Sequence, residues 1–193
     1  MSKARLEAFS DGVFAVAITL LVLEIAVPGE KGDLPQEVGR LWPSFAAYLV
    51  SFFTIGIIWV NHHVMVGRFE RLDRTTLFLN LNLLLWVVLI PWSTALIAEH
   101  LRDTGSDEHF AASVYAGNFF LMGLAFFAIW AYAGRVHLVD ARPSDMKRLV
   151  RRNVVGEVAY LIAAAVAWVS APAALIICGL VAVYYVAPGP LRL

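Results

Sequence analysis

Apolar residues in this chain fall into six long blocks, at roughly 8–27, 42–65, 76–98, 110–134, 154–169 and 173–187, rather than into the narrow stripes of a soluble helical bundle. A hydrocarbon core about 30 Å thick takes about 20 helical residues to cross, so the blocks predict membrane-spanning helices. The last two are short and are separated only by Ser170, Ala171 and Pro172, a pattern that predicts a tight helical hairpin. Pro91 predicts a kink in the third block and leaves Trp92 to anchor near a membrane boundary. No second copy of the first block and no separate soluble domain is found. The expectation is an all-α, polytopic membrane protein with six transmembrane helices and a single domain over residues 1–193.

Composition sharpens this through placement more than amount. The chain is 60% apolar and 16% charged, and the charges sit almost wholly between the blocks. Their formal sum of zero gives no sign of a nucleic-acid partner. Of the 15 Lys and Arg residues, only Lys31, Arg40 and Arg102 lie on one side of the predicted spans; the remainder lie on the other. By the positive-inside rule both termini then face the cytoplasm, in a multi-pass protein of the inner (plasma) membrane. The basic stretch from Arg135 to Arg152 would face anionic membrane lipid. Glu7 and Asp11 argue against reading the amino terminus as a secretory signal. The single cysteine, Cys178, lies inside an apolar block and reads as a packing residue. No nucleophile–base pairing, His-Glu-x-x-His motif or glycine-rich phosphate loop is present, so no enzyme and no cofactor are expected.

Arg5 and Asp11 stand at the entrance of the first span, where charge is costly unless it is paired or lines a polar path. At 100° per residue Val16, Leu20 and Leu23 stack on one face with Thr19 at its edge, Phe9 lies within about 20° of Val16, and Asp11 lies about 140° away. The strip could line a pore or simply meet lipid or another helix; periodicity leaves both open. Arg5 and Asp11 are six positions apart and poorly placed for each other, so their partners are sought on other helices. The second span closes with Trp59, Asn61, His62 and His63 at the same predicted depth as Phe9, Ser10 and Asp11. One hydrogen-bonded network between these two helices is expected, against the alternative that the histidines are solvated by headgroups. Adjacent histidines point about 100° apart, which argues against a structural metal site. Asn80, Asn82 and Asn118 read as hydrogen bonds between helices. Glu157 is expected to pair with Arg151 and Arg152 or to sit at the interface.

The string from Arg5 through Phe9, Ser10 and Asp11 to Thr19 resembles the Arg-x-x-x-Phe-Ser-Asp signature of the transmembrane protein 175 family of potassium channels, in its bacterial branch. The Trp-x-Asn-His-His end of the second span extends the likeness. The resemblance implies a homotetramer of single-repeat chains, with the first helix lining a central pore and no Thr-Val-Gly-Tyr-Gly filter. Carried over from the aspartate, it implies aliphatic constrictions at Val16, Leu20 and Leu23 and a hydroxyl layer at Thr19, near which K+ would pass. Where isoleucine or leucine is common at the first constriction this chain has the smaller Val16, which could widen that ring or shift the tightest point to Leu20. Arg5, Phe9, Ser10, Asp11, Asn61 and His62 would form the signature network that fixes the helix. The implied function is passive, potassium-favouring conduction through a hydrophobic constriction. An ion- or proton-coupled secondary transporter using Asp11, Glu157 and the histidines is the alternative, and it lacks the internal inverted symmetry that such folds carry.

Overall fold

The computed structural model describes residues 2–29, 33–102, 105–139 and 143–186, with the backbone alone at 143–146. Its helices are α1 (Lys3–Leu20), which runs on through a 3-10 turn at Leu21–Glu24, α2 (Leu34–Arg40), α3 (Trp42–Gly67), α4 (Arg74–Val88), α5 (Ile90–His100), α6 (Ser106–Arg135), α7 (Pro143–Val166) and α8 (Ala171–Val186). Among the described residues, four segments are long and apolar enough to cross a membrane: Lys3–Glu24, Trp42–Gly67, Arg74–His100 and Ser106–Arg135. The shorter α8 is apolar throughout its 16 residues.

The differences from the expected blocks have physical causes. The third block is two helices, α4 and α5, because Pro91 has no N–H to continue the ladder and stands in the first turn of α5. Asn118 of α6 braces the break: its amide donates to the Trp86 carbonyl at 3.3 Å and accepts from the Ser93 hydroxyl at 3.1 Å. Helix α7 begins at Pro143, well before the apolar block starting near 154, since Lys147, Arg148, Arg151 and Arg152 form turns of the same helix. Hydropathy marks the greasy part of a helix, whereas backbone hydrogen bonding sets its ends. The short α2 went unpredicted because its seven residues carry both polar and apolar side chains without a long period.

Helix α6 is the centre of the bundle and packs against α4, α5, α7 and α8. Its buried set repeats every three or four residues and includes Ala111, Ala112, Ala116, Ala125 and Ala133, small enough to let neighbouring backbones close in around Tyr115, Phe119 and Trp130. Helix α1 packs on α3, α4 and α5 at the other side of the molecule. At one end, the α3–α4 and α6–α7 connections meet: Phe69 bridges Val139, and the Glu70 N–H donates to the Leu138 carbonyl at 3.0 Å. At the other end the start of α6 lies against the α7–α8 turn, where His109 Nδ1 bonds the Ala167 carbonyl at 2.8 Å and the Ala171 N–H donates to Glu108. Connections that the charge count assigned to one side are therefore neighbours in space.

Candidate pore helix and its anchoring network

Two faces of α1 do different things. Leu6, Ser10, Phe14, Ala17 and Leu21 recur at three- and four-residue intervals and are buried. The opposite face presents Val16 at 58% exposure, Leu20 at 40% and Leu23 at 74%, with Thr19 beside them. Such a strip of aliphatic side chains is left uncovered by the described residues of a single chain. Thr19 is also held: its hydroxyl donates to the Ala15 and Val16 carbonyls, both at 2.9 Å. With its proton turned into the helix, the Thr19 oxygen keeps a lone pair facing outward.

The buried face is locked by polar contacts from two other helices. His62 Nε2 donates to Asn80 Oδ1 at 2.7 Å, and the Asn80 amide donates to Ser10 Oγ at 3.0 Å, so α3, α4 and α1 are joined through one side chain. Ser10, His62 and Asn80 are all buried. The Phe14 ring packs on His62 with centroids 5.4 Å apart. A second tie is separate: the Trp59 indole N–H donates to Asp11 Oδ1 at 2.8 Å. Outside this group, Lys3 donates to the Gly67 carbonyl, placing a cation at the C-terminal end of α3 where the helix dipole favours it.

The expected network is thus partly redistributed. Ser10, Asp11 and His62 face partners on other helices, but the bridging amide belongs to Asn80, not Asn61. The Asn61 amide turns back onto its own helix and donates to the Ile57 carbonyl at 2.9 Å. Arg5 joins neither tie. It lines a groove of about 480 Å3 together with Phe9, Arg74, Phe78 and Asn80. Adjacent to His62, His63 is exposed. The signal for Asn80 was present in the sequence as an amide inside an apolar block, and its role as a bond between helices holds, as it does for Asn118; Asn82 is exposed. What spacing could not supply was the rotation of α4 that aims Asn80 at α1.

Helix α4 is fixed from its own start. Asp73 caps it, accepting from the Thr76 N–H and hydroxyl at 2.8 Å each and from the Tyr132 phenol of α6. These donors, the Tyr132 phenol foremost, hold the Asp73 carboxyl below its ordinary range. Among the described residues no group of three or more His, Cys, Asp or Glu side chains is placed to hold a metal ion.

The family model described as endosomal/lysosomal potassium channel TMEM175 matches residues 5–91, the stretch that holds all but the first two residues of α1, the ends of both ties and the Pro91 break. A potassium channel of Streptomyces collinus is 47% identical over 188 residues, covering 95% of this chain and 91% of that protein. The chain belongs to the TMEM175 family. A crystal structure of a lysosomal potassium-selective channel TMEM175 homologue from Chamaesiphon minutus superposes with a TM-score of 0.86 at 37% identity, covering 95% of this chain and 96% of that one. A second structure, of a variant of the potassium channel MtTMEM175 in complex with a nanobody fusion protein, shares the fold at a TM-score of 0.66 and 22% identity, covering 94% of this chain and 88% of that one. The TMEM175 protein of Mus musculus, named an endosomal/lysosomal proton channel, is 34% identical over 143 residues that make up 28% of its length. TMEM175 relatives are ion channels of the membrane, not enzymes.

Proposed function

We propose that this protein is a potassium-permeable channel that assembles as a homotetramer around a central pore lined by the exposed face of α1. Six helical segments cross the membrane in this reading, with α4 and α5 as one broken span and α7 and α8 as the last two, and both termini lie in the cytoplasm. The observation that carries the proposal is the pairing of faces on α1: one face locked to α3 and α4, the other leaving Val16, Thr19, Leu20 and Leu23 uncovered by the described residues. Four copies of such a face around an axis would stack aliphatic rings with one hydroxyl layer among them. A narrow aliphatic ring closes a pore by dewetting, since a passing ion must shed water with nothing offered in exchange. The outward lone pairs of Thr19 supply weak oxygen ligands for a partly hydrated cation, which fits a modest preference for K+. The ties at Ser10 and Asp11 keep α1 from rotating and hold the rings in register.

The test is ion flux from potassium-loaded liposomes containing the purified protein, with potassium and sodium gradients compared and Leu20→Ala run alongside. Passive flux that favours potassium, raised about tenfold in the variant, corresponds to removal of a barrier of roughly 1.4 kcal/mol at that ring. Unaltered flux in Leu20→Ala would remove Leu20 from the barrier, and flux that requires a second solute would favour a coupled transporter. The names of the animal relatives favour including a proton gradient in the same assay.

A further inference from the structure

The α6–α7 seam lies away from α1 and contains polar atoms that the channel reading does not use. The two helices run antiparallel in a fixed register: Ser113 reaches Ala164, the Phe119 and Tyr160 rings meet edge to face at 5.6 Å, and Gly123 lies against Glu157. A Cβ built on Gly123 would fall 1.9 Å from Glu157 Oε1, so the absence of a side chain there is what makes room for the carboxyl. Three buried polar atoms on these two helices have no hydrogen-bond partner among the described residues: Trp130 Nε1, Asn153 Nδ2 and Glu157 Oε2. Trp130 is 2% exposed and Asn153 is 7% exposed. Trp130 stands seven residues from Gly123 on the same face of α6, and Asn153 stands four residues from Glu157 on the same face of α7. All three therefore belong to one seam.

Glu157 is not where the sequence suggested. Gly123 is 12 residues from the Arg135 end of α6, about 18 Å at helical rise, so the carboxyl of the half-buried Glu157 lies far along the helices from their basic end. The expected arginine partner is also occupied elsewhere. The Arg152 guanidinium donates to the Tyr185 carbonyl at 2.7 Å and lies over the Tyr184 and Tyr185 rings. The other titratable groups near the carboxyl, among the described residues, are Tyr160 on α7, Tyr185 on α8, whose hydroxyl donates to the Arg152 carbonyl at 3.3 Å, and Cys178 of α8 near Tyr160. None of these three is a fixed positive charge.

Two unpaired N–H donors and one unpaired carboxyl oxygen are complementary, and bridging water joins such groups when they are too far apart to bond directly. The donors lie on the Arg135 side of Glu157, the basic end of the bundle. On the opposite side the Phe119–Tyr160 contact and Ala163 and Ala167 close the seam with apolar surface. We propose that Glu157, with Asn153 and Trp130, forms a hydrated proton-binding site between α6 and α7, separate from the α1 pore. The step is a simple transfer. The Glu157 carboxylate forms one O–H bond with a proton delivered by water, the hydronium donor returns to water, and no electrons change hands.

Infrared difference spectra against pH, taken on the full-length protein in liposomes, test this directly. Acidification is expected to raise one carbonyl band of a protonated carboxylic acid that is lost in Glu157→Gln and moved in frequency in Glu157→Asp. Identical spectra for wild type and either variant would overturn the proposal, and the Asp variant carries the test if the Gln variant does not fold. Transfer to D2O is expected to shift the wild-type band promptly; a band that stays unshifted would mean a dry, closed carboxyl and would overturn the hydrated site. Leu20→Ala is expected to leave the band unchanged, whereas a band altered by that variant would place the site in contact with the pore.

Discussion

Two helix seams in this molecule hold polar side chains, and they differ in how completely those side chains are paired. Where α1 meets α3 and α4, Ser10, Asn80 and His62 form a closed relay and Asp11 is met by Trp59. Where α6 meets α7, Trp130, Asn153 and Glu157 each leave a buried atom without a partner among the described residues. A buried polar group that is satisfied fixes geometry; one that is not marks a place where something other than stability set the residue. The first seam is the one that must hold a helix at a fixed rotation, because a twist of α1 by one residue would carry Leu20 off its face. The second needs only to keep its polar atoms wet.

The strongest way to break this comparison is to open the closed relay. Asn80→Leu leaves the His62 N–H and the Ser10 hydroxyl buried without the amide, each orphan costing about 1–3 kcal/mol. Competition from alternative partners in the membrane trims such values. A net loss of about 3 kcal/mol in thermal stability of the solubilised oligomer is expected from the two orphans together. Ser10→Ala in the same background is expected to cost less than it does alone, since its partner has already gone. A loss under about 0.5 kcal/mol would mean that the relay does not hold the helix.

A smaller effect of opposite sign is expected at the other seam. Glu157→Met keeps the length of the side chain and removes the unpaired oxygen, a change that is commonly neutral or stabilising when the polar group had no partner. The expected outcome is unchanged stability or a gain of about 1 kcal/mol, read on the same thermal assay. A loss as large as that of Asn80→Leu would show Glu157 to be as fully engaged as Asn80 and would erase the contrast.

Much of this arrangement could be read from the chain before any coordinates. The aliphatic strip Val16, Leu20 and Leu23 follows from helical spacing alone, and all three are exposed in the fold, Val16 and Leu20 on α1 and Leu23 in the 3-10 turn that continues it. The signature at Arg5 to Asp11 and the Trp59 to His63 cluster announced that α1 and α3 are tied. Periodicity could not choose among Asn61, Asn80 and Asn82, because an amide inside an apolar block can turn to a neighbour, to its own helix or to the uncovered surface of the chain, and these three do all of those things. Glu157 was misjudged for a related reason. Its arginine neighbours in sequence suggested a pairing with Arg151 and Arg152 or a place at the membrane interface, but α7 starts 14 residues before it and carries it down to the level of Gly123. A glycine without a turn to make was the available clue, since α6 needs none there for its backbone.

The smallest expected effect concerns Asp73, which ties α4 to α6 just outside the spans and so supports the side of the relay that presents Asn80. Its carboxyl is held below its ordinary range, first by the Tyr132 phenol and then by the Thr76 N–H. The folded state therefore releases this proton more readily than the unfolded chain does, and stability rises with pH between the lowered folded value and the ordinary one. The contribution is fully present above the ordinary carboxylate range, near about pH 4, and is lost as pH falls through the folded value. Asp73→Asn keeps an acceptor for the Thr76 N–H but not the charge, so wild type should melt above it by no more than about 2 °C near neutrality, with the gap closing in acid. Tyr132→Phe removes the foremost cause and should flatten the acid limb by itself. A gap between wild type and Asp73→Asn that stays constant from neutral pH into acid would mean that the carboxylate charge adds nothing to the tie, and that the hydrogen-bond geometry at the start of α4 suffices to aim Asn80 at Ser10.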